Sequence, residues 1–438
     1  MLKTTFKLRD IEVFFVQTIF IALSFLALNV ATNLSAALVG IIFFFLLYLI
    51  VFRGFDYLDP LVAFSIPWLL ILGFSLVPIS GYAIDIHRNT DELILIVLFV
   101  GMMSSGSIQR TVRPLVWPRP AKYRKANSAL FALDALFFGL TILNVVLAGY
   151  VPLIQGFLTG DSGYLRFGVH GLYGFYLAFA NAWAILYFVL YLRTRHRGYL
   201  FRFISAVLVF ILFVTRQNLL SVFIEALVVY SLIRRRLNIK AILIFFCAVM
   251  MLFSLAGSFR TGNIKQLAKI RSRYYWLPDP VIWLYSYSYF NIANLDNMMR
   301  FSKGATYNGS SLAQLIPSFL RPTYTGETYI EVSIFNVSSF LYPVYQDLGT
   351  AGAIFLTATA LGMTRYKRRS MYSHASLYNV GTFATLYFCA LFSFFINFWF
   401  YLPIIFQLVF FRLFSGLADR AALQYPEGTE SVERRLTS

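Results

Sequence analysis

Residues Ile11–Val30 read IEVFFVQTIFIALSFLALNV, an apolar run about as long as a helix needs to cross the hydrocarbon core of a bilayer. No small-residue cleavage site follows it, so it is expected to stay as a first span rather than leave as a signal peptide. Runs of the same kind recur, giving twelve candidate spans near residues 11–31, 35–52, 61–79, 93–108, 128–148, 172–192, 203–215, 217–233, 241–257, 341–363, 376–397 and 399–415. Composition agrees: 438 residues, 59% hydrophobic and 13% charged, with a mean hydropathy of +0.70. These values describe a polytopic membrane protein and exclude a string of soluble domains. The expected fold is all-α, with about twelve transmembrane helices and one long external loop. Nine spans occupy residues 1–257, the loop 258–342, three more spans 343–415, and a cytoplasmic tail 416–438.

A net charge of +18 would point to nucleic acid in a soluble protein. Here the basic residues must first be divided between two membrane faces. With both termini on one side, that face holds 26 of the 37 Lys and Arg, including Arg53, the run from Arg110 to Lys125, Arg234 to Arg236, and Arg365 to Arg369. The positive-inside rule makes that face cytoplasmic and residues 258–342 external. Most of the basic charge then reports orientation, and no nucleic acid is expected.

The long polar segment is where chemistry is expected. Arg260, Arg271, Arg273, Arg300 and Arg321 lie there among Tyr274, Tyr275, Trp276, Tyr324 and other aromatics. Guanidinium groups grip phosphate in a bidentate fork, and aromatic faces cover the apolar side of sugar rings. That combination suggests a phosphorylated glycan. An interfacial aromatic belt explains about half of the aromatics without any sugar.

Polar residues inside the apolar runs narrow the reading. The runs on either side of Thr215-Arg216-Gln217-Asn218 are short, which favours a hairpin dipping to an external cavity with Arg216 at its tip; a simple interfacial anchor is the alternative. Glu225 lies deeper, where a carboxylate needs a partner or a proton. Asp134, near the start of its span, is expected at the cytoplasmic rim. Cys247 and Cys389 are far apart, so no disulfide framework or thiol metal site is expected.

Soluble-enzyme signatures are absent from the sequence: no GxxxxGK[ST], HExxH or GxSxG occurs, nor a DxD pair on the face where nucleotide sugars are found. Of four histidines only His87 and His170 are expected outside, too few for a histidine metal site. No metal or cofactor is therefore expected. An enzyme of this composition would take an activated donor from the membrane, and lipid-linked diphosphate is the natural candidate.

Four segments carry a family likeness: Tyr150-Val-Pro-Leu-Ile-Gln-Gly156, Tyr164-Leu-Arg-Phe-Gly-Val-His-Gly171, Thr215-Arg-Gln-Asn-Leu-Leu220, and Ile334-Phe-Asn-Val-Ser-Ser-Phe-Leu-Tyr-Pro-Val-Tyr-Gln-Asp-Leu-Gly349. Together they resemble the Wzy family of oligosaccharide repeat-unit polymerases over residues 152–355. The resemblance implies a GT-C-like helical architecture in the bacterial inner membrane, both termini cytoplasmic and the active site external. It also implies transfer of a growing glycan from undecaprenyl diphosphate onto a lipid-linked repeat unit, with a chain-length regulator protein as a candidate partner beside membrane lipid. The RX10G pattern of some members is absent at Arg166, Arg260 and Arg300, which are followed eleven positions later by Leu177, Arg271 and Ser311. Arginine roles are therefore not transferred from the family.

The reaction itself sets the remaining expectations. Arg166, Arg216, Arg260, Arg271, Arg273, Arg300 and Arg321 are candidates to neutralise the departing diphosphate, and Tyr274, Trp276 and Tyr324 to bind sugar. Asp161, His170, Asp279, Asp296, Glu327, Glu331 and Asp347 are external candidates for a base at the acceptor hydroxyl, with Glu327 and His170 favoured. Asp347 also reads as the N-cap of its own helix. The segment from Pro280 to Arg300 is expected to be a helix within a lid, with Trp283, Tyr287, Phe290 and Asn294 on one face. An O-antigen ligase shares every one of these features except the acceptor, and a flippase or transporter shares the span count.

Overall fold

A computed structural model describes residues 8–31, 33–54, 56–104, 115, 117, 127–164, 166–169, 171–234, 251, 263–302, 304–317, 320–322, 329–330, 332, 335 and 338–422. The candidate span at 241–257, and His170, Arg260, Tyr324, Glu327 and Glu331, lie outside them. The described residues form an all-α structure with one isolated β-bridge, Ser80 to Ile270. Its principal helices are α1 (Leu8–Val30), α2 (Leu34–Arg53), α3 (Pro60–Ser75), α4 (Arg88–Ser104), α5 (Asn127–Ala148), α6 (Pro152–Thr159), α7 (Leu172–Thr194), α8 (Arg197–Leu212), α9 (Arg216–Arg234), α10 (Asp279–Phe301), α11 (Leu341–Ser373), α12 (Leu377–Leu391) and α13 (Leu402–Ala422).

Local sequence sets several boundaries. Asp59 caps α3 by accepting from Leu61 N at 2.9 Å, with Pro60 in the first turn, where a missing N–H costs nothing. Ser376 caps α12 through Asn379 N at 3.2 Å. Among the described residues, four stretches are both long and apolar enough to cross a membrane: Leu34–Arg53, Ser128–Thr159, Leu172–Thr194 and Arg216–Arg234. Shorter apolar helices accompany them at Phe14–Val30, Pro60–Ser75, Leu377–Leu391 and Leu402–Ala418. The chain therefore has transmembrane character.

Two packed cores share α12. α5, α7, α8, α9 and α13 surround its first half, at Leu377, Val380, Phe383 and Ala384. α1 to α4, the end of α10, and α11 surround its second half, at Leu386, Phe388, Cys389 and Ala390. The central helix is α7, 78% of whose apolar window is buried, against 28% for α2. A helix that is apolar all round belongs in the middle of a bundle. The ring of Trp183 in α7 stacks on Phe137 of α5 at 4.0 Å. In α12, a Cβ at Gly381 would stand 3.0 Å from the Phe411 ring, so this glycine lets α13 approach.

The structure corrects the sequence reading at three places. First, the α8–α9 connection is Phe213-Val214-Thr215, and Arg216-Gln217-Asn218 form the first turn of α9 rather than a hairpin tip. The two helices have 16 and 19 residues. At about 1.5 Å per residue α9 reaches ~28 Å, enough for a full crossing. Apolar windows understate these lengths because basic and amide residues continue the helices at their ends.

Second, α12 stops at Leu391, and residues 392–401 are an irregular buried loop. Its backbone is held from outside: Phe340 N donates to Ser393 O at 2.9 Å and Trp68 Nε1 to Ser393 Oγ at 2.9 Å. Third, α11 breaks at Gly349, whose φ of 64° and ψ of −160° are strained for any residue with a Cβ. It then continues beyond the apolar run to Ser373, carrying Arg365 to Arg369. Arg368 pairs with Asp56 and, at 3.5 Å, with Asp59, which Arg53 also meets at 3.3 Å. Two of the charges read as markers of orientation are thus half of a buried ion cluster joining the α2–α3 connection to α11. Asp134 likewise has defined partners, Arg202 at 2.7 Å and the Tyr187 hydroxyl at 2.6 Å.

Candidate functional site

The helix expected over Pro280–Arg300 is present as α10, and it is a packed element rather than a cover. It rests on α3, α4 and α11, and Trp283, Tyr285, Tyr289 and Phe290 are almost fully buried. The face with Trp283, Tyr287, Phe290 and Asn294 closes on Phe335: Phe290 stacks on its ring at 4.6 Å and Asn294 Nδ2 donates to its carbonyl at 2.9 Å.

Position on α10 sorts the predicted arginines. Tyr285 and Tyr287 are two residues apart and so project about 200° from each other. Tyr287 meets Phe395 of the 392–401 loop at 5.3 Å. Tyr285 faces the other way, accepting from Ser80 N at 3.4 Å and standing beside Arg271. Burial pushes the Tyr285 hydroxyl up to about 12, so it stays a neutral phenol beside that guanidinium. Arg271 N bonds Ile79 O at 3.0 Å, and Arg273 stacks on Tyr274 at 4.6 Å beside the exposed Trp276. Arg271, Arg273, Tyr274 and Trp276 therefore form one surface with the α3–α4 loop, across α10 from the 392–401 loop. The expectation that these arginines converge with Arg166 and Arg321 is corrected by that separation.

Arg300 is committed elsewhere. Its Nε meets the fully buried Asp296 at 2.7 Å, and Asp296 also accepts from His87 N at 2.8 Å and Thr90 Oγ1 at 2.6 Å. This links the end of α10 to the start of α4.

Three other predicted positions do come together. Phe167, next to Arg166, packs its ring on Phe213 at 4.5 Å, so the α6–α7 loop lies against the α8–α9 turn that leads to Arg216. Gln217 hydrogen-bonds the Tyr401 side chain, which also lies in the field of Arg321. Asn218 accepts from Asn181 Nδ2 at 3.0 Å. Beside the starts of these helices, Phe175 of α7 meets Phe406 of α13 at 5.3 Å. One end of the bundle thus gathers Arg166, Arg216 and Arg321 with Gln217, Asn181, Asn218 and Tyr401.

Chemically this end is cationic and rich in neutral hydrogen-bonding groups. Arg166 pairs with Asp161 at 3.2 Å, yet their side chains are 79% and 69% exposed, so the pair is weak and can open to an anion. Arg321 is exposed and donates to Ile316 O at 3.2 Å. The nearby loop carries Asn397, only 2% exposed, whose Nδ2 and Oδ1 both lack a partner in the protein.

The described base candidates all have partners: Asp161 has Arg166, Asp279 has Lys265 at 3.6 Å, and Asp296 has Arg300. Asp347 is structural, but not as the cap of its own helix. Inside α11, it accepts from Gly309 N at 2.9 Å, Ser311 N at 3.2 Å and Ser311 Oγ at 2.6 Å, anchoring the 3₁₀ turn Ser310–Leu315. Gln217, Asn181, Tyr401 and Asn397 were missed by the sequence reading. Amides embedded in apolar runs were the available signal.

No protein-family model, curated protein or solved structure matches the chain.

Proposed function

We infer that this protein is a membrane glycosyltransferase that polymerises lipid-linked oligosaccharide repeat units. It transfers a growing glycan from undecaprenyl diphosphate to the next lipid-linked unit, without a metal. The observation that carries this reading is the gathering of Arg166, Arg216 and Arg321 around Tyr401 from segments far apart in sequence. A diphosphate leaving group gains two negative charges as the glycosidic bond breaks, and preorganised guanidiniums stabilise that charge most at the transition state. Amides such as Gln217, Asn218 and Asn397 suit the hydroxyls of a glycan, and the apolar helices below suit its polyprenyl tail. His170 and Glu327, from segments flanking this end, are the candidates to accept the acceptor proton.

In this reading the chain is a GT-C-like bundle of about twelve spans in the bacterial inner membrane, with both termini cytoplasmic and the arginine-bearing end external. A chain-length regulator would act beside it. Purified protein reconstituted with lipid-linked repeat unit alone tests the function. Ladders of lipid-linked polymer are expected. Transfer only to a lipid A acceptor would identify a ligase, and movement of substrate without bond formation a flippase.

A further inference from the structure

The mechanism above leaves one buried charge unused. Glu225 is fully buried in α9. Ser221, four residues earlier and on the same face, donates Oγ to Glu225 Oε1 at 2.7 Å. From α13, Gln407 Nε2 donates to Glu225 Oε2 at 2.7 Å and to Thr385 Oγ1 of α12 at 3.2 Å. Every one of these partners is neutral. Among the described residues no Lys, Arg or His pairs with Glu225, and the titratable group facing it is the thiol of Cys389. Gln407 is itself fully buried, and its Oε1 has no partner.

A carboxylate inside a membrane bundle without a counter-charge marks a functional site. Rotation of the Gln407 amide exchanges its nitrogen and oxygen, which share one shape. Oε1 then faces the carboxylate and Thr385. The cluster becomes an all-oxygen set: the Glu225 carboxylate, Ser221 Oγ, Thr385 Oγ1 and Gln407 Oε1. Hard cations take oxygen ligands, whereas thiolate and imidazole sites select softer ones. One carboxylate balances one positive charge; a divalent ion would leave a net charge in the apolar interior. A bare proton would neutralise Glu225 but leave one atom of the Gln407 amide unsatisfied.

We propose that Glu225, Ser221, Thr385 and Gln407 bind a sodium ion in the middle of the bundle. The ion joins α9, α12 and α13. The same α9 carries Arg216 and Gln217 at its start, and α13 begins beside Tyr401, so occupancy braces the frame of the candidate site. The inference does not depend on the polymerase reading, because its test is binding and stability.

The test uses the full chain in lipid nanodiscs, unfolded by heat in sodium, potassium or choline chloride at equal ionic strength. The melting temperature is expected to rise saturably with sodium, as for a ligand that binds only the folded state. Radioactive sodium should bind at one site per chain. Glu225→Gln keeps the shape and should abolish both responses, and Thr385→Val should raise the sodium midpoint about tenfold. Equal melting temperatures in the three salts, or a sodium response that survives Glu225→Gln, would overturn the proposal. Stabilisation by acid in choline with no effect of sodium at alkaline pH would assign the carboxyl a proton, and would also overturn it.

Discussion

Replacing Asp347 by Asn should loosen one arch of the protein while the bundle stays folded. The Asp347 carboxylate is 1% exposed and accepts from Gly309 N, Ser311 N and Ser311 Oγ. Next to it, Thr306 N and Tyr307 N bond the Gln346 and Asp347 carbonyls, each at 2.9 Å. Asparagine keeps one acceptor oxygen but turns an N–H pair toward donors that already point inward. A hydrogen bond to a charged group is worth about 1.5–3 kcal/mol, and a buried donor left without an acceptor costs about as much again. A net local loss of ~2–3 kcal/mol should therefore speed exchange of the Gly309 and Ser311 amides ~30- to ~150-fold. Ser311→Ala removes one bond, about 1 kcal/mol, and should speed exchange only about fivefold. Hydrogen exchange read by mass spectrometry, with the buried amides of α7 as internal reference, measures both. Unchanged exchange across 306–316 in Asp347→Asn would refute the anchoring role; loss of protection throughout the bundle would show that the effect is global.

Other consequences are equally direct. Arg300→Ala leaves the buried Asp296 carboxylate uncompensated and should destabilise the α10–α4 junction by about 3–5 kcal/mol, read as a lower melting temperature, whereas Arg273→Ala on its exposed aromatic should change it little. In the reconstituted polymerisation assay Arg216→Lys, which keeps the charge but loses the fork, should slow chain growth by about a hundredfold; equal activity of Arg216→Lys and wild type would exclude a role at the diphosphate. Arg271→Ala, across α10 from the candidate site, should leave the rate within about twofold, and a hundredfold loss there would refute the separation made by α10. Single cysteines at Gly160 and Gly309 should react with an impermeant thiol reagent once the outer membrane is permeabilised, and one at Arg234 should not.

Some of this was legible along the chain. α10 was readable because its aromatic face repeats at helical spacing and Asp279-Pro280 marks its start. α7 and α2 were visible as apolar runs, since transfer from water depends on composition within one segment. Arg216 and Arg321 stood out because a guanidinium in or beside an apolar run needs a reason. Their meeting at Tyr401 could not be read, because Gln217, Arg321 and Tyr401 are separated by long stretches of sequence and only packing brings them together.

What the sequence determined by itself is class and composition: helices rather than strands, apolar faces rather than aqueous ones, and an arginine-rich polar segment. Hydropathy is a local sum, so it registers how much apolar surface a segment must hide. It is blind to which distant group receives each polar atom. That is why the apolar residues 392–401 look like helix yet form a buried loop held by Phe340 and Trp68. It is also why Asp347 looks like a cap for its own helix yet anchors a different segment, and why Arg300 looks like a ligand for phosphate yet is taken by Asp296. Tertiary structure decided these assignments because a buried polar group must be satisfied wherever a partner lies, however far away in sequence.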